Sequence, residues 1–94
     1  MEYRLQFEHL MCTAFDCKRW DLSFVNADYY GAGIDKHPEM KAVMVCALLA
    51  LSQKRPDTKE QLREWAKSLD DKETYQLDDI HEVLEKLYEA NLAL

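Results

Sequence analysis

Between Ala42 and Leu51 the chain runs through ten apolar residues (AVMVCALLAL) with no polar one among them. A helix lying on the surface of a globule carries polar residues along its outer side. A run with none, set inside the stretch 38–53 (PEMKAVMVCALLALSQ), predicts a core helix packed on nearly all sides, with the other elements laid around it. The run falls well short of the roughly 20 apolar residues that a membrane-spanning helix needs. Cys46, in its middle, is therefore expected to be a buried and inert thiol.

The flanking segments carry helical periodicity. Tyr3, Phe7, Leu10, Met11, Ala14 and Cys17 fall on one face of a helix over 3–17, and Leu5 and Cys12 fall on a second side of it. Trp20, Leu22 and Phe24 alternate as a short extended piece or turn near 20–25. The irregular stretch 26–35 holds both glycines, Gly31 and Gly33, and leads to Pro38 at the first turn of the central helix. Lys54-Arg-Pro-Asp57 stops that helix. Asp57 or Thr58 is then expected to cap a helix over 58–69, where Leu62, Trp65, Ala66 and Leu69 form the apolar stripe. After a polar connection at 70–76, Asp78 or Asp79 is expected to cap a last helix over 78–90, with Ile80, Val83, Leu84, Leu87 and Tyr88 inward. Asn91 suits the left-handed residue that ends it. The expected fold is all-α: one compact domain, 1–94, of four main helices.

Two glycines and two prolines favour helices over a turn-rich β architecture, and 48% apolar with 32% charged residues fits a folded globule. The net charge of −6 is placed unevenly. Residues 1–56 hold seven acids and seven bases, whereas residues 57–94 hold eleven acids and five bases. The opening Met1-Glu-Tyr-Arg does not read as a secretory leader, and three cysteines (Cys12, Cys17, Cys46) lack the spacing of a disulfide framework. A cytoplasmic location with reduced thiols is the expectation.

From the central helix onward the order resembles the helical half of a winged helix-turn-helix domain, over residues 38–94. The carriers are the buried helix, the Leu62/Trp65/Ala66 helix and a third helix closing on Leu87-Tyr-Glu-Ala-Asn-Leu92. The sequence ends at Leu94 before any β-hairpin wing, so the resemblance is to a wingless form. It implies a compact helical core. DNA binding does not carry over, because the third helix bears Asp78, Asp79, Glu82, Glu85 and Glu89 against Lys86 alone. Affinity for phosphates comes from Lys and Arg, and this face repels them.

Candidate chemistry is sparse. His9 and Cys12, spaced i, i+3, lack further ligands at metal-site spacing, so no metal is expected. Gly31-Ala-Gly33 lacks the remaining glycine and the Gly-Lys-Ser/Thr ending of phosphate loops, so no cofactor is expected. No nucleophile–base pair points to catalysis. The sharpest feature is the acidic face of the last helix: Glu82, Glu85 and Glu89 at helical spacing, with Asp78 and Asp79 before them. A solvated face kept for solubility is its plainest explanation. Its functional reading is a ridge that meets a basic protein surface, in the extreme imitating nucleic-acid phosphates. Trp20, Tyr29 and Tyr30, near Lys18 and Arg19, form a second candidate contact surface.

The expected function is a small acidic interaction module, not an enzyme, that binds and regulates or inhibits a larger protein or nucleoprotein complex without touching nucleic acid or membrane. In size and charge it is similar in style to phage-encoded inhibitors, anti-CRISPR and nuclease-blocking proteins among them. The alternatives are a transcriptional regulator with a reduced winged helix and a structural homodimer built through the two-sided N-terminal helix.

Overall fold

The computed structural model describes residues 2–18 and 39–93, Glu39 and Met40 by backbone alone. The described residues form four α-helices and no strand: α1 (Tyr3–Phe15), α2 (Glu39–Lys54), α3 (Lys59–Asp70) and α4 (Leu77–Glu89), with a 3-10 turn at Pro56–Thr58 between α2 and α3. The all-α expectation is met. The proposed extended piece at 20–25, the glycine loop, the Pro38 helix start and the residues Trp20, Tyr29 and Tyr30 lie outside the described residues.

One apolar cluster joins all four helices. Phe7, Leu10, Met11 and Ala14 enter it from α1, Met44, Ala47, Leu48 and Leu51 from α2, Leu62, Ala66 and Leu69 from α3, and Ile80, Val83, Leu84 and Leu87 from α4. The broadest helix contact is α2 on α3, with α1 against both α2 and α4. In α1, α3 and α4 these positions follow the 3.6-residue period of the sequence, so pattern and burial agree there.

The central helix departs from expectation. Among the described residues it is not enclosed on nearly all sides: Ala42, Cys46 and Leu49 are exposed, Leu49 by 40%. Among the described residues, α1 and α3 cover two flanks of α2 and leave a third bare. Cys46 is thus an exposed thiol, the reverse of the buried one expected. An all-apolar run cannot tell its covered side from its open one, because no polar residue marks the difference.

The helix ends explain the remaining shifts. Helix α1 closes two residues early, with Asp16 in the left-handed region at φ 53°. Lys54, in the last turn of α2, donates to the Thr13 carbonyl at 3.0 Å and pairs with Asp16, so one ammonium serves the end of α1. Thr58 precedes α3 but makes no capping bond; its hydroxyl donates to the Arg55 carbonyl at 3.3 Å, because the 3-10 turn points it backward. Neither Asp78 nor Asp79 is the residue before α4. Gln76 is, and Asp79 reaches back to accept its backbone N–H at 2.8 Å.

At the far end of α4, Asn91 takes φ 55°, as its residue type allows. The Leu92 N–H then reaches the Leu87 carbonyl at 2.8 Å, and the Asn91 N–H reaches that of Tyr88 at 3.1 Å. This paired closure buries Leu92 against the cluster that holds Leu87. Substituting Asn91→Ala puts a Cβ-bearing residue without a compensating side-chain amide at positive φ. It should cost about 1 kcal/mol in urea denaturation, and Asn91→Gly should not.

Candidate acidic docking face

Helix α4 presents its acids as one strip. Asp78, Glu82, Glu85 and Glu89 are exposed, and their spacing places them on the side opposite Ile80, Leu84 and Leu87, which are sealed in the core. Tyr88, expected inside, is instead 49% exposed beside this strip. Four inward side chains already fill the apolar face of α4, and its position lies at their edge.

The strip is held from both flanks. On one side the Tyr3 hydroxyl of α1 donates to Glu85, and the Tyr3 ring stacks on His81 with centroids 3.8 Å apart and planes 7° from parallel. The Glu85 bond, more than partial burial, holds the Tyr3 phenol above its usual pKa of 10.0. On the other side Lys86 pairs with Glu82 at 3.3 Å and sits 5.8 Å above the Trp65 ring of α3. Below it, Lys72 pairs with Asp79 at 3.2 Å. Between α3 and α4 these residues line an open groove of about 310 Å³ with Glu64, Ser68 and Val83.

Asp79 therefore differs from the other four acids. The bond from the Gln76 N–H, then Lys72, holds its carboxyl below the ordinary 3.8, and it serves the helix start. A depressed folded value means that its stabilisation is present above about pH 3.8 and lost as pH falls through the lower folded value. Asp79→Ala should cost about 1 kcal/mol at neutral pH, the scale of a helix cap, and flatten the acid limb of a stability–pH curve. An unchanged limb would assign the acid sensitivity elsewhere.

Of the residues singled out in the sequence, the structure gathers Asp78, Glu82, Glu85 and Glu89 on one exposed face and sets Asp79 at its foot. The clamping residues Tyr3, Trp65, Lys72 and Lys86 were not legible as partners of that face. Tyr3 and Glu85 are 82 residues apart. His9 and Cys12 both lie on α1, and among the described residues no group of three or more metal-ligating side chains gathers. No described helix is long and apolar enough to cross a membrane. No family model, curated protein or solved structure matches this chain.

Proposed function

We propose that the chain is a non-catalytic, cytoplasmic interaction module whose acidic α4 face docks on a basic surface of a larger protein. The observation that carries this reading is the arrangement of Asp78, Glu82, Glu85 and Glu89 as an exposed strip on a helix fixed at both ends. Acids that serve solubility alone need no fixed geometry. Here Tyr3 orients Glu85 and Lys86 orients Glu82, which lowers the ordering cost of meeting a partner. Complementary charge speeds encounter and sets register, and a strip of this kind suits an Arg/Lys-rich surface such as that of a nucleic-acid-binding protein. Binding or inhibition of such a complex is the regulatory act this geometry supports.

The test is capture of the native partner by tagged full-length protein, followed by a salt gradient. The reading predicts one dominant basic protein released as salt rises, since exposed ion pairs are screened over about 8 Å at physiological ionic strength. A partner that is retained through high salt would place the contact on an apolar surface instead.

A further inference from the structure

The flank of α2 that the described residues leave bare continues into a groove shared with α3. Val45 and Leu49 supply its apolar floor, and Glu60, Arg63, Glu64, Lys67 and Asp70 supply its charged border, around an open volume of about 580 Å³. Ala42 and Cys46, small and exposed, extend the apolar strip along α2 and leave room for a second backbone to approach closely. Helix α2 carries no charge between Lys41 and Lys54, so nothing on that helix holds this flank in water.

The border decides what covers it. Glu60, Arg63, Glu64 and Lys67 stand at i, i+3, i+4 and i+7 on one exposed side of α3. When two such helices run antiparallel about a twofold axis between positions 63 and 64, each of these four residues meets an opposite charge, while Asp70, the third acid of the border, lies beyond the paired row. Glu60 faces the second copy's Lys67, and Arg63 faces the second copy's Glu64. The row is therefore complementary to itself, which is the requirement of an isologous interface. Two copies of charge −6 also meet little net repulsion there. The groove border nearly balances its charge, with three acids and two bases, whereas the α4 strip repels its own image.

We infer that this protein self-associates through the α2–α3 face, as a twofold dimer sealed by Val45 and Leu49 and registered by the Glu60–Lys67 and Arg63–Glu64 pairs. This surface is separate from the α4 strip and does not depend on the function proposed for it.

The experiment is sedimentation equilibrium of the full-length protein over a wide concentration range at physiological salt. Wild type should rise in weight-average mass from 11.1 kDa toward twice that value. The variants Glu60→Lys with Glu64→Arg, and Arg63→Glu with Lys67→Glu, change only exposed residues and should each remain monomeric. Mixed in equal amounts they should recover the dimer. Leu49→Glu should also be monomeric, with unchanged circular dichroism. A wild type that stays monomeric throughout would overturn the inference. So would charge variants that dimerise alone as well as wild type, or a dimer abolished by Leu5→Asp on α1 but not by the α3 changes.

Discussion

Replacing Leu48 by alanine should destabilise the protein by about 2–5 kcal/mol, the range found for buried leucines truncated to the Cβ. Leu48 is fully buried in the middle of α2, the helix that packs against both α1 and α3. Its loss opens a cavity in the cluster that joins all four helices, and surrounding helices fixed by their end closures have little freedom to collapse into the space. A domain of this size holds a total stability of roughly 5–15 kcal/mol, so the change should be visible as a large fall in the urea midpoint with an unchanged slope. Leu49→Ala is the matched control. One residue along, on the open flank, it should cost less than about 1 kcal/mol in dilute monomer. Equal losses at the two positions would mean that α2 is enclosed after all.

Reversing Glu82, Glu85 and Glu89 to lysine should weaken partner binding by about 100-fold or more while leaving the fold intact. Charged groups central to an interface cost several kcal/mol when truncated, and reversal adds repulsion to the lost attraction. Stability should hold because the interactions removed are exposed. The Lys86 pair with Glu82 is a surface pair of the kind worth about 0–1 kcal/mol, and the core side of α4 is untouched. Lysine at position 89 also stands in the last turn, where the helix dipole favours a positive charge. Unaltered circular dichroism and urea midpoint are thus part of the expected result.

How far the chain can be read without its structure varies by element. The amphipathic helices α3 and α4 were legible to within a residue, because Leu62–Leu69 and Ile80–Leu87 alternate with charged residues at a period only a helix fits. The left-handed Asn91 was legible as well. The buried side of α2 was not, since Ala42 and Ala47 look alike in sequence although one is exposed and the other sealed. Capping was misplaced by a few residues in α4, where Asp78, Asp79 and Gln76 could all begin a helix and tertiary packing selects among them. Buried polar groups gave no local signal. Gln6 donates to the Leu92 carbonyl at 3.3 Å across 86 residues, and Glu8 is only 8% exposed on a helix whose sequence would let it face water. For the candidate site the acidic strip was plain, because it lies within one helix. The tyrosine, tryptophan and lysines that orient it come from elsewhere in the chain, and only the fold brings them there.

The most direct measurement compares two triple reversals in parallel capture from the native lysate. One places lysine at Glu82, Glu85 and Glu89; the other at Asp57, Asp71 and Glu73, which are also exposed but lie off α4. Both sets change the net charge by the same amount, so any difference between them reports position and not overall charge. The docking account predicts that the α4 set loses the partner and the other set keeps it. Retention by the α4 set, or equal loss in both, would contradict it.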